Sequence, residues 1–143
     1  MATIATAART AQPLDPSFPR DRFHIAKAKS ADWQVGLRAH FAYRDLGMAA
    51  ATRGKVLAQV IRARQPSDGP GDEHKHHLDF QMVYVLRGWM RTQFDGVGER
   101  TLEAGDCMYQ EPGINHRVLD YSDDLEALEI TVPAEFETVS VAP

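Results

Sequence analysis

The chain has 143 residues, the size of one ordinary domain, which is enough to enclose a core without disulfide or metal staples. Its 16 basic and 20 acidic residues leave a net charge of −4, and no run of Lys and Arg is interleaved with aromatics, so a nucleic-acid partner is not expected. Cys107 is the only cysteine, which excludes an internal disulfide, a CxxC redox pair and a zinc-finger ligand set. No apolar run reaches the about 20 residues of a spanning helix, and the N-terminus lacks the apolar centre of a secretory signal. A soluble protein of the reducing cytoplasm, without a membrane partner, is the expectation.

Residues 1 to 22 carry Pro13, Pro16 and Pro19 and show no apolar periodicity, the pattern of an extended arm. From Phe23 the chain becomes strand-like: Phe23, Ile25 and Lys27 share a side, and Trp33, Leu37, Phe41 and Tyr43 fall in short β-leaning pieces. Asp45 ahead of LGMAAAT predicts a capped helical turn. Lys55 to Arg64 reads as a strand, with Gln59 interrupting the face of Leu57 and Ile61, and the loop QPSDGPGDE ends it.

Phe80 to Leu86 alternates Phe80, Met82, Tyr84 and Leu86 against Gln81, Val83 and Val85, so both faces are largely apolar. One face can fill an interior; the other must be covered by an arm or a partner subunit, which predicts a homodimer. WMRTQFD and the turn GVG predict a hairpin. Short strands broken at Gly105-Asp106 and Pro112-Gly113 follow, and LEALEITV alternates with Leu128, Ile130 and Val132 on one face until Pro133. Short strands at fairly even spacing, with little helix, predict an all-β sandwich or barrel.

His74 and His76 stand two apart, which in an extended segment puts both imidazoles on one face. Two imidazoles so placed can share a metal ion, and His116, just past the Pro112-Gly113 turn, can supply a third. His77 and Asp79 read as loop residues. Tyr84, Trp89, Met82 and Met90 could line a pocket, though aromatic and sulfur side chains in a barrel are more often plain core, and Cys107 suits buried packing.

The run H-x-H-x4-Q-x6-G from His74 to Gly88 resembles the first signature of the cupin superfamily, and GDCMYQEPGINH from Gly105 to His116 resembles the second. The resemblance implies an antiparallel double-stranded β-helix, a jelly-roll barrel over residues 36 to 143. Residues 1 to 35 are then an N-terminal arm packed on the barrel or on a partner subunit. It also implies a homodimer and one divalent transition metal, Fe, Mn, Ni, Zn or Cu, held by His74, His76 and His116. Gln81 falls where the family usually has a glutamate, and it suits either a fourth ligand or an interior amide. A glutamine oxygen can coordinate a metal but adds no charge and cannot serve as a base. Glu111, beside Pro112, is the candidate acid or base at the pocket mouth.

Cupins span many reactions, so the resemblance says more about fold and metal than about activity. The leading expectation is an enzyme of dioxygenase type that acts on a metal-bound anionic or enolisable small molecule. A metal-dependent isomerase or lyase, or a non-catalytic module that binds a metabolite, are the alternatives.

Overall fold

A computed structural model describes residues 11–36 and 38–142. The first ten residues of the expected arm, and Leu37 of the β-leaning pieces, lie outside the described residues.

The elements in chain order are a 3-10 turn at Ala28–Ser30, β1 (Gln34–Val35), β2 (Phe41–Asp45), α1 (Met48–Ala51), β3 (Leu57–Ala63), β4 (His74–His77) and β5 (Phe80–Arg87). They continue with β6 (Trp89–Phe94), β7 (Gly98–Glu103), β8 (Cys107–Tyr109), β9 (His116–Tyr121), β10 (Glu126–Val132) and β11 (Glu137–Ser140). Six strands form one antiparallel sheet in the order β1-β2-β3-β10-β5-β8, and five form a second in the order β11-β4-β9-β6-β7. The fold is therefore all-β, and the expected jelly roll takes the form of two facing antiparallel sheets.

Several local expectations meet corrections. The predicted hairpin is present, with Phe94 opposite Gly98 across the turn. The helical turn is capped at Gly47, not at Asp45; Asp45 acts from two residues before the cap, its Oδ1 accepting the Gly47 N–H at 2.8 Å. His77 lies within β4 and not in a loop, although its side chain is exposed beside Glu137. Cys107 is exposed and not buried.

Alternation decides what faces inward. On β5, Gln81, Val83 and Val85 are buried, while Tyr84 and Leu86 remain exposed on the outer face. On β10 the buried positions are Ala127 and Thr131, which turns Leu128 and Ile130 outward and Glu129 inward. A core of Phe41, Val85, Leu102, Tyr121 and Leu125 closes one end of the space between the sheets. Arm residues touch α1 and the first sheet: Arg22 donates to the Ala50 carbonyl of α1, and Trp33 stacks under the Arg62 guanidinium of β3 at 3.8 Å.

Gly88, between β5 and β6, has φ +71°, and a Cβ there would collide with Ser122 Oγ and meet Asp124 Oδ1 at 2.6 Å. Gly113 has a similar φ of +77° but open space around it. Gly113→Ala is therefore expected to cost about 1 kcal/mol from the backbone alone, and Gly88→Ala roughly 2 kcal/mol or more, because Ser122 also holds the Trp89 N–H. Urea unfolding of both variants checks the order; equal losses would show that the Ser122 turn yields freely.

Candidate metal centre

β4 presents His74 and His76 on the same face, two residues apart. β9 pairs with β4 through the register His74 to His116, which sets the third imidazole directly across the ladder. Ring centroids are 4.9 Å apart for His74 and His76, 4.3 Å for His74 and His116, and 5.0 Å for His76 and His116. One nitrogen from each ring lies within 4.8 Å of the others. The turn that delivers His116 is tied back to β4 by the Gly113 N–H on the His76 carbonyl, 3.1 Å.

The other nitrogen of each ring is occupied from behind. His74 Nδ1 donates to the Asp72 carbonyl at 2.9 Å, and His116 Nδ1 donates to the Ile114 carbonyl at 2.9 Å. His76 Nδ1 lies 2.9 Å from Thr138 Oγ1. The two carbonyls fix His74 and His116 with the proton on Nδ1 and the lone pair on Nε2, the arrangement that metal-ligating histidines adopt; in this arrangement Arg38 Nη2 lies against the His74 Nε2 at 2.7 Å. Burial holds all three imidazoles uncharged: His74 below its ordinary value, His76 down to about 3 with His116 and His74 adding to the effect, and His116 down to about 4. Neutral, tautomer-fixed and convergent nitrogens fit a divalent transition metal.

Gln81 is buried on the inner face of β5, 3% exposed. Its Nε2 donates to Glu129 Oε2 at 2.9 Å, and its Oε1 accepts from Gln110 Nε2 at 3.2 Å. A carboxylate accepts only from the amide's NH2 end, so Glu129 sets the orientation of Gln81 and keeps its oxygen on the Gln110 and His116 side. Gln110 Nε2 is itself 3.2 Å from the His116 ring nitrogens. On the other flank Gln59 Nε2 donates to Glu129 Oε1 at 2.8 Å.

These groups line a cavity of about 370 Å³, within the range of small-molecule sites. Arg38 reaches into it from the segment between β1 and β2, with Nη2 2.7 Å from His74 Nε2. Thr92 also lines it, and its hydroxyl is buried without a partner among the described residues. Met90 lines the cavity, whereas Tyr84 faces outward. Glu111 is exposed on the turn after β8 and is not among the lining residues. Asp79 is exposed too, its backbone N–H bonded to the Val132 carbonyl.

Sequence reasoning missed Glu129, Arg38, Gln110 and Thr92. Glu129 had a signal, a charged residue alternating with apolar ones, as Gln59 had in β3. Arg38 had none, because nothing local marks an arginine as reaching across to another strand.

Residues 62–132 match the family model described as "Cupin domain", and with this site and fold the chain belongs to the cupin superfamily. Solved structures with a similar fold include the polyketide cyclase RemF from Streptomyces resistomycificus, with TM-score 0.69 and 15% identity over 85% of this chain and 87% of that one. KdgF from Halomonas sp. has TM-score 0.64 and 18% identity over 78% of this chain and 96% of that one. A cupin-superfamily sugar phosphate isomerase from Silicibacter pomeroyi has TM-score 0.66 and 16% identity, covering 82% and 81%. No curated protein matches the sequence.

The imidazoles give a signed pH dependence. His76 and His116 bind protons more weakly folded than unfolded, where the ordinary value is about 6.5. Their contribution to stability is therefore complete above about pH 6.5 and is lost as pH falls toward about 4 and then about 3. Thermal melts of EDTA-treated protein across this window should fall with acid, and His116→Gln should flatten the slope; a melt independent of pH would contradict buried neutral imidazoles.

Proposed function

We propose that this cupin is a metal-dependent enzyme that binds a small oxygenated molecule in the cavity and moves a proton on it, as isomerases and lyases do. His74, His76 and His116 hold one divalent transition metal, and Gln81 supplies an oxygen as fourth ligand. The observation that carries the reading is a carboxyl, Glu129, inside the same cavity as three convergent neutral imidazoles. A divalent metal so held would polarise a carbonyl or hydroxyl oxygen of the bound molecule.

The chain's own groups do the rest. Gln59 and Gln81 each give one N–H to Glu129, so the carboxyl is fixed in position while each oxygen keeps a free lone pair. Burial raises its proton affinity above the ordinary carboxyl value, against the pull of Gln59, Gln81 and Arg38, which suits a group that takes up and returns a proton. Thr92 offers a hydroxyl to a bound oxygen. An acid-base role for Glu111 requires its exposed turn to fold over the cavity, whereas Glu129 already lines it. Similar folds solved as a cyclase and a sugar phosphate isomerase support proton-moving chemistry by analogy alone.

The second reading is the dioxygenase. Three neutral ligands leave positions open for oxygen and substrate together, and this reading places the same histidines in the same role. A module that binds a metabolite without turnover would use the cavity alone. In each case the protein acts in the reducing cytoplasm as a homodimer. The outer face of the six-stranded sheet, where Tyr84 and Leu86 are exposed, meets its copy there, and the arm, described from residue 11, packs on the barrel or on that copy.

Metal analysis should find about one equivalent per subunit, and His116→Ala should lower it at least about tenfold. With metal retained, Glu129→Gln should slow deuterium exchange at the acidic carbon of a turned-over substrate by roughly 10²-fold or more without oxygen consumption. Oxygen uptake that survives in Glu129→Gln would establish the dioxygenase instead, and binding with neither reaction would establish the module. Light scattering that shows a monomer would remove the dimer.

A further inference from the structure

Arg38 is a permanent cation that reaches into the cavity, and no carboxylate among the described residues pairs with it directly: none lies within 4.0 Å of its guanidinium. Its nearest polar neighbour is the ring of His74, with Nη2 2.7 Å from Nε2 and 2.9 Å from Nδ1. A neutral imidazole compensates none of the charge. Glu129, the carboxyl in the same cavity, is engaged by Gln59 and Gln81 instead. No carboxylate therefore meets the guanidinium directly beside His74, and a guanidinium at a cavity wall is best satisfied by a carboxylate gripped through two N–H groups.

The walls then state what the anion is attached to. On each strand the inward position next to a polar one, going toward the closed core, is apolar: Ile61 after Gln59, Val83 after Gln81, Val118 after His116, and Ala127 beyond Glu129. Met90 and Leu125 complete that apolar layer. One inward step along a strand is roughly 7 Å, the depth of a single ring or a short branched chain. Thr92, level with Val118, and Tyr43, level with Ile61, also line the cavity and can each meet a hydroxyl, but a wholly polar ligand, such as a small sugar acid, would bury its remaining hydroxyls against the apolar side chains, which is costly.

We infer that the substrate is a compact organic acid with an apolar body, its carboxylate paired with Arg38 and its ring or branched chain seated between Ile61, Val83, Met90 and Val118. This deepens the enzyme reading and rests on it for the word substrate; the recognition itself needs only the cavity. Arg38 is here a specificity residue.

Calorimetric titration of the protein as purified, with its metal content measured, compares three probes: benzoate, its neutral isostere benzamide, and acetate, which has the charge but no body. Benzoate should bind at least about tenfold tighter than either. Arg38→Gln should weaken benzoate by about tenfold or more and leave benzamide unchanged, while Arg38→Lys should keep part of the preference. Equal affinities for benzoate and benzamide in the unaltered protein overturn the inference whether or not a variant folds, and so does unchanged benzoate binding in a folded Arg38→Gln. Acetate equal to benzoate overturns the apolar body. The titration is repeated after EDTA treatment: charge preference that persists there and disappears in Arg38→Gln upholds Arg38 even where metal analysis or proton exchange has failed the enzyme reading.

Discussion

Polar side chains buried between two sheets must find partners, and here four of them and the His116 ring do so along one connected chain. Gln59 on β3 donates to Glu129 on β10, Gln81 on β5 donates to the same carboxyl, Gln110 past β8 donates to Gln81 and reaches the His116 ring on β9. Each of these groups left unpaired would cost about 1–3 kcal/mol. Linked, they line a cavity that would otherwise have to be filled with apolar side chains or collapse. The chain also crosses from the six-stranded sheet to the five-stranded one, so the spacing of the sheets at this level is set by hydrogen bonds. Below it, Phe41, Val85, Leu102, Tyr121 and Leu125 set the spacing by packing.

The two modes of holding the sheets explain why the site lies where it does. Strand pairing carries His74 to His116 regardless of what fills the interior. Imidazoles placed in the apolar layer would lack acceptors for their N–H groups; at this level the Asp72 and Ile114 carbonyls lie within reach of Nδ1. The irregular backbone that ends a strand offers carbonyls unused by the ladder, and both histidines open their strands. Position at a strand start thus supplies the bond from behind that fixes each tautomer.

Much of this was legible in the sequence, for reasons that also mark where legibility stops. Alternation and Gly or Pro turns located the strands, and the spacing of His74, His76, Gln81 and His116 located the inward rows of β4, β5 and β9. What the sequence left open was which row of a strand faces inward. In LEALEITV the row of Leu128, Ile130 and Val132 looks more hydrophobic than that of Ala127, Glu129 and Thr131, yet the second faces inward. Hydrophobicity cannot choose between rows when one faces a polar cavity and the other an exposed sheet surface. Arg38 and Gln110 were invisible for a different reason: their significance depends on what lies across the fold, which alternation along one strand does not encode.

Glu129 also accounts for the departure at Gln81, where the resemblance leads one to expect a glutamate. The side chain at 81 faces a hydrogen-bond-accepting oxygen, Glu129 Oε2, 2.9 Å from its Nε2. A carboxylate in both places would set two like charges at hydrogen-bond distance in a buried site, and one of them would be forced to hold a proton. An amide at 81 resolves the conflict without moving the backbone, because its NH2 end feeds Glu129 while its oxygen faces Gln110 and the histidines. The negative charge is therefore retained in the cavity, displaced by one strand from β5 to β10. A divalent metal held by three neutral imidazoles would then meet that charge across the cavity and not within its own ligand set. That displacement separates two tasks a single glutamate would combine, orienting an oxygen toward the histidines and carrying a charge, and it leaves the carboxyl free to face whatever molecule occupies the space between them.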